Sequence, residues 1–335
     1  MVLLSIAIAL LPVLVFLLAL LAMDSFKLLP PRTLMFAIGF GVLAAVFCLV
    51  LHRQAVAAGM PPAALKRLVA PLTEETAKAA LVVSLLMRRR LGFAVDAAIA
   101  GFAVGAGFAV AENVDYLRVA AGARIWLWIV RGFGTAILHG ATTAVFAMIA
   151  RVAWERHGNR RFRGLLGAWA AAVGIHAAFN SLILPPIAFT LLLLIGLPIL
   201  ILYVFRRSEG ATREWVTAGL DLDLDLLELI STDAFSHTRF GRHLRDLTTT
   251  VSGPIVADMF CLLRLELELA IQAKGLLIAK QAGLQLPPDE DLRAGLRELA
   301  YLERSIGRTG TRALKGFHVT SDRDKWHRWL LEQSR

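Results

Sequence analysis

Residues 73–78 read "TEETAK", directly ahead of the apolar run "AALVVSLLM" (79–87), so two adjacent carboxylates and a lysine stand at the mouth of a hydrophobic helix. Ionisable groups in hydrocarbon are costly and are retained mainly where they face an interior or a water-filled cavity, and carboxylates and imidazoles so placed can do acid–base work. Glu74 and Lys78 are spaced i,i+4 in the stabilising order, which leaves Glu75 on another face and free for chemistry. Pro71 and Thr73 predict a helix start with Thr73 as N-cap, putting both glutamates in the first turn, where the helix dipole favours them. A further acid, Glu112, closes "GFAVGAGFAVAEN" (101–113). There Gly101, Gly105, Phe108 and Glu112 form one stripe, a close-packing face that leads up to a carboxylate with Asn113 beside it. In "RGFGTAILHGATT" (131–143) Arg131, Thr135, His139 and Thr142 share a face, and in "GIHAAFN" (174–180) His176 and Asn180 are one turn apart. Each pattern also has a plain reading: capping acids, glycine packing, interhelical histidine hydrogen bonds, an Arg131–Glu112 ion pair that locks two helices.

The elements that must carry these residues are apolar runs. The chain has 335 residues, 57% of them hydrophobic, with mean hydropathy +0.63, beyond an ordinary soluble protein. Runs long enough to span a bilayer are 2–22, 33–52, 93–113, 125–150, 164–184 and 187–205, and the short helix from Glu74 to Met87 makes a seventh. The predicted fold is all-α: a polytopic membrane helical bundle of about seven spans, followed by a small helical domain. Residues 1–207 hold 19 Lys and Arg against 7 Asp and Glu, whereas 208–335 hold 17 against 19. The basic residues cluster at helix ends, in "MRRR" (87–90), "RRFR" (160–163) and "FRR" (205–207). That is the positive-inside pattern, so the expected topology is N-terminus out and 208–335 in the cytosol. It is not a nucleic-acid footprint, and no nucleic-acid partner is expected. The run 2–21 lacks a basic segment before it and is expected to be a retained first helix. Cys48 and Cys261 have neither disulfide-framework nor metal-knuckle spacing and are expected to be buried thiols.

Within 208–335, helical periodicity runs through 255–283 and 289–307 on either side of Pro287–Pro288. The stretch "DLDLDLLE" (221–228) suits a strand or a helix face, and no catalytic motif occurs in this half.

Depth brings the polar residues together. At about 1.5 Å per residue, His139 lies roughly 18 Å above Arg151, His176 roughly 20 Å above Arg163 and Glu75 roughly 20 Å from Arg88. Glu112 lies roughly 24 Å above Asp96. A helix too short to reach the outer surface thus delivers Glu75 to the level of the histidines.

Glu74-Glu75-x-x-Lys78, Phe108-x-x-x-Glu112-Asn113, His139 and His176-x-x-x-Asn180, in this order over about 70–205, resemble the PrsW family of intramembrane endopeptidases, distantly related to the CAAX prenyl endopeptidases and the bacterial immunity-type membrane proteases. In the CAAX-type relatives the second motif ends in histidine, whereas here it ends in Glu112. The resemblance implies proteolysis of membrane-anchored protein substrates in a bacterial cytoplasmic membrane, in some members of an anti-sigma factor, as a step in regulated signalling. Amide hydrolysis needs an activated water, oxyanion stabilisation and a proton for the leaving amine. Glu75 is then the candidate general base with Glu74 beside it. His176 and Asn180, joined by His139, would polarise the carbonyl, with Lys78, Arg131, Asn113 and Phe108 in support. A metal version is equally constructible, with His139, His176 and Glu112 as the two-His, one-carboxylate set of a divalent metal such as Zn and Glu75 acting on water. The residues leave metal and metal-free chemistry open. Arg131 either pairs with Glu112 or holds a substrate carboxylate. Two other classes remain at this point: a carrier with a mid-membrane Glu/His site, and a non-catalytic membrane receptor or scaffold.

Overall fold

Apolar runs fold as helices because in lipid every backbone polar group must be satisfied within its own segment. A computed structural model of the chain describes residues 2–24, 28–120, 122–156, 159–282, 284, 290–314 and 331. The described residues are helices and connections, with no strand among them. In order come α1 (Val2–Met23), α2 (Pro31–Ala57), a short α3 (Pro62–Ala64), a π-helical turn Leu65–Val69 and α4 (Ala70–Met87). Then follow α5 (Ala94–Val119), α6 (Ile125–Ile129), a second π-helical turn Val130–Thr135, α7 (Ala136–Trp154), α8 (Asn159–Asn180) and α9 (Pro186–Ile230). Proline opens α2 and α9, where its missing N–H costs nothing. Asp96 Oδ2 accepts from the Phe93 backbone N–H at 2.9 Å and so caps α5. The connection from α4 to α5 is tied down by Arg151, whose Nε and Nη2 donate to the Gly92 carbonyl at 3.0 and 2.5 Å.

Among the described residues six helices are long and apolar enough to cross a membrane: α1, α2, α5, the continuous Ile125–Trp154 stretch, α8 and α9. The expected seventh, α4, is an 18-residue helix that is not among them; Glu74, Glu75 and Lys78 lower its apolar character. α4 also does not start where the sequence suggests. It continues upstream into the π-helical turn, and Thr73 Oγ1 donates back to the carbonyls of Val69 and Ala70 rather than capping. The two glutamates therefore lie inside a helix and not at its first turn.

α5 is the axis of the bundle. Its Ile99, Phe102 and Val104 share one core with Val13, Leu17 and Leu20 of α1, Val82 and Leu85 of α4, and Ile137 and Phe146 of α7. Glycines at its contacts set its neighbours' distances. A Cβ at Gly105 would overlap the backbone carbonyl of His139, and one at Gly41 of α2 would overlap that of Val104. Small residues at such contacts let membrane helices pack backbone to backbone. Outward-facing Phe36, Leu43 and Phe47 of α2 and Leu191, Ile195 and Ile199 of α9 are exposed, an apolar surface suited to lipid.

The chain divides into two compact units, Met1–Glu209 and Gly210–Arg335. α9 does not stop at Arg207, where the basic residues suggested an exit from the membrane, but runs to Ile230, so "DLDLDLLE" is helical. In the second unit α10 (Arg239–Leu247), α11 (Gly253–Gln281) and α12 (Glu290–Leu314) follow. Met259, Leu262, Leu292, Leu296 and Leu299 form its core. Lys274, 1% exposed, donates to Asp223 Oδ2 at 2.5 Å and to the Gly219 carbonyl at 2.9 Å. α12 breaks at Gly307, with φ 60° and ψ −164°. Pro287–Pro288, read as the separator of α11 and α12, lies outside the described residues. Cys48 is buried, but Cys261 is exposed; it sits on the face of α11 turned away from the core.

Candidate active site

Four helices of the first unit deliver the polar residues to one cavity of ≈ 710 Å³. Its wall includes Glu74 of α4, Phe108 and Glu112 of α5, Arg131 of the second π-helical turn, His139 of α7, and His176 and Asn180 of α8. The close approach at Gly105 brings α5 onto α7 at His139, one turn before Phe108 and two before Glu112 on the same stripe. Accordingly the Phe108 and His139 ring centroids are 4.9 Å apart, and His139 Nε2 is 2.9 Å from Glu112 Oε2. The rings of His139 and His176 meet edge to face at 5.0 Å.

Carboxylates settle the tautomers. An ionised carboxylate can only accept, so His139 Nε2–H donates to Glu112 and His176 Nδ1–H donates to Glu75 Oε1 at 2.7 Å. The remaining basic nitrogens, His139 Nδ1 and His176 Nε2, lie 3.9 and 3.8 Å from one atom, Glu74 Oε2. Glu74 Oε2 is buried and has no hydrogen-bond partner among the described residues.

Glu75 lies behind this wall. Its Oε1 accepts from Lys78 Nζ at 2.6 Å, from His176 at 2.7 Å and from Thr142 Oγ1 at 3.2 Å. Lys78 thus pairs with Glu75 at i,i+3 and not with Glu74 at i,i+4, because Thr142 of α7 and His176 of α8 gather Glu75 and Lys78 on the buried face. Lys78 Nζ also donates to His139 Nδ1 at 3.2 Å and stands 5.0 Å over the Phe108 ring. Glu75 is therefore engaged rather than free, and Glu74 is the carboxylate of the pair that meets the cavity. Asn113 is buried beside Arg131, whose Nε donates to Asn113 Oδ1 at 2.9 Å. Arg131 Nη2 is 3.1 Å from Glu112 Oε2, which realises the ion pair expected between them. Asn180 Nδ2 donates to the Lys66 carbonyl at 3.0 Å.

Glu74, His139 and His176 offer one ligand atom each, all within 4.8 Å of one another. Metal bonds of about 2 Å can close such a gap with small side-chain adjustments. An unpartnered buried oxygen facing two basic nitrogens, each ring held from behind by a carboxylate, is a donor set that fits a divalent metal. The fourth side is the cavity, as a catalytic site requires. The trio contains Glu74 where the sequence reading put Glu112.

The family model for the PrsW family intramembrane metalloprotease matches residues 29–205, over half of the chain. The chain belongs to the PrsW family. No curated protein and no solved structure matches it. As a PrsW family member it is an integral membrane protein and an intramembrane protease, which selects hydrolysis over the carrier and receptor readings.

Sequence reasoning passed over His52, which lines the same cavity from α2. Its Nε2 is 2.8 Å from Thr73 Oγ1 and its Nδ1 is 3.8 Å from Glu74 Oε1. Thr73 donates to backbone carbonyls, so His52 Nε2–H is the donor to it. The only signal was a histidine at the end of an apolar run, which reads equally well as a headgroup-level anchor.

Proposed function

We propose that the chain cuts peptide bonds of membrane-anchored protein substrates within the bilayer, at a centre formed by Glu74, His139 Nδ1 and His176 Nε2 holding a divalent metal such as Zn. The observation that carries this reading is Glu74 Oε2, buried without a hydrogen bond and faced by two imidazole nitrogens. A metal bound there supplies Lewis acidity, polarising a carbonyl oxygen and acidifying a water at neutral pH. The residues of the chain do the rest. Glu112 and Glu75 fix the two rings in the tautomers that leave those nitrogens basic. Glu75, whose Oε1 accepts from three donors, acts as a positioning residue in this reading, in place of the general base expected for it. The second N–H of Asn180, on the same wall, is the donor proposed for the developing oxyanion, and the apolar wall of Leu65, Phe108, Val130 and Phe179 would exclude water around a substrate segment.

One observation supports a second, metal-free reading. Lys78 Nζ already donates to His139 Nδ1, which leaves Glu74 as the water-activating carboxylate flanked by the histidines. A distant kinship with the CAAX prenyl endopeptidases would suit that chemistry. In both readings the substrate is a membrane-anchored regulator, such as an anti-sigma factor in a bacterial cytoplasmic membrane, and residues 208–335 form a cytosolic regulatory domain. The deciding experiment is cleavage of single-span reporter proteins in proteoliposomes before and after chelation. Loss on chelation and recovery with added Zn2+ is expected. Cleavage that survives exhaustive chelation sinks the metal and leaves the Glu74 reading.

A further inference from the structure

A chain of contacts leads from His139 out of the cavity to the backbone of α1. His139 Nε2–H donates to Glu112 Oε2 at 2.9 Å, and the same oxygen is 3.1 Å from Arg131 Nη2. Arg131 Nε donates to Asn113 Oδ1 at 2.9 Å, and Asn113 Nδ2 donates to the Ala9 carbonyl at 2.6 Å. The orientation of the Asn113 amide is forced, since a guanidinium nitrogen can only donate and a carbonyl can only accept. Arg131 is further fixed by stacking, its Cζ 3.4 Å from the centroid of the Tyr116 ring. Arg131 is 7% and Asn113 1% exposed, so neither is a loosely held surface group. The next residue, Gly132, brings α1 against this turn: a Cβ there would overlap the Ile8 carbonyl. α1 precedes the matched residues 29–205, yet it anchors the far end of the chain.

Resting on the reading that Glu74, His139 and His176 hold a metal, we propose that Arg131 and Asn113 are positioning residues that hold Glu112, and through it the ring of His139, in register with the metal site, with the Ala9 carbonyl of α1 as the anchor. A carboxylate held only by an imidazole can rotate about its own side chain. The charge of a guanidinium pinned by Asn113 and the Tyr116 ring restricts that freedom, so His139 keeps Nδ1 aimed at Glu74. Loss of such outer support lowers metal affinity by about 10–100-fold in metal sites generally. A mere helix lock would lower stability and leave the affinity of the folded protein untouched.

The test uses the full chain in lipid nanodiscs with Co2+ and Zn2+ as probes, comparing wild type, Arg131→Met, Arg131→Lys, Asn113→Asp and Glu74→Gln. Metal affinity, the visible Co2+ spectrum, thermal melting of the apoprotein and the separate kcat and KM for a reporter are read on the same samples. Arg131→Met is expected to weaken Co2+ binding by about 10–100-fold and to shift its spectrum, with kcat falling more than KM changes. Arg131→Lys keeps the charge toward Glu112 without the Asn113 bond and the ring stack, and should recover part of the affinity. Asn113→Asp keeps an acceptor for Arg131 but sets a carboxylate against the Ala9 carbonyl, and should fall between. Wild-type affinity and spectrum in the Arg131 and Asn113 variants, while Glu74→Gln loses the metal, overturn the positioning roles alone. Co2+ retained by Glu74→Gln overturns the metal assignment beneath them. Should Arg131→Met not fold, Arg131→Lys and Asn113→Asp carry the same decision.

Discussion

Replacing Glu75 by Gln removes the carboxylate that pairs with a lysine of 0% exposure. Lys78 Nζ is 2.6 Å from Glu75 Oε1, and it also meets the neutral His139 Nδ1 at 3.2 Å and the Phe108 ring. Breaking a buried pair by removing one partner strands the other charge and costs about 3–5 kcal/mol. At about 1.4 kcal/mol per tenfold, that shifts the folding equilibrium by about two to three and a half powers of ten. Removing both charges with Glu75→Gln/Lys78→Met should return most of that loss, because an apolar side chain of similar length fills the space beside Phe108. Metal affinity should not return with stability. His176 Nδ1 has lost its anionic acceptor in both variants, so affinity stays about 10–100-fold down. The assay is a four-corner cycle of reversible unfolding by SDS in mixed micelles, with Zn2+ binding measured on the folded proteins. A coupling below about 0.5 kcal/mol, the scatter expected of independent sites, would refute the buried pair. Affinity restored by the double substitution would refute the positioning role of Glu75.

Glu74→Gln should lower reporter cleavage more than Glu75→Gln at equal folded amounts, the reverse of the order suggested by the sequence; kcat comparison in proteoliposomes decides it. Gly105→Ala should destabilise the first unit by about 1–3 kcal/mol, since its Cβ meets the rigid His139 carbonyl, and should weaken Zn2+ binding as α7 shifts. In the second unit Lys274→Met should cost about 3–5 kcal/mol by breaking its buried pair with Asp223, and Lys274→Met/Asp223→Leu should recover part of it; hydrogen exchange over 253–281 reads both. A chain ended after Ile230, where α9 stops, should keep reporter cleavage, and loss of cleavage by a folded truncation would give the second unit a catalytic role.

Much of the site was legible because helical rise is a ruler. Counting turns from the basic helix ends set Glu75, His139, His176 and Glu112 at similar depths; in the structure the last three line one cavity and Glu75 is hydrogen-bonded to His176 behind its wall. The glycine stripe was legible too, since only a glycine at 105 lets α5 touch the carbonyl of His139. The division of labour between Glu74 and Glu75 was not. Residues three and four apart are both neighbours on a helix, and the choice of Lys78 for Glu75 is made by Thr142 and His176, which come from other helices. The upstream extension of α4 was hidden by Pro71 and Thr73, whose types suit a helix start but sit inside the helix. His52 was hidden by its position near the end of α2, where polar side chains are ordinary. The fold class followed from apolar length alone, whereas the path of α9 past Arg207 did not, because a change from apolar to charged residues marks a change of surroundings and not of backbone.

In the proposed mechanism Glu74, His139 and His176 form a metal centre for hydrolysis inside the membrane. Its most direct test is to measure bound metal and reporter cleavage together for wild type and Glu74→Gln reconstituted at matched density. The predicted result is stoichiometric divalent metal and cleavage in the wild type and neither in the variant. Cleavage by metal-free wild type, or unchanged metal and cleavage in Glu74→Gln, would contradict it.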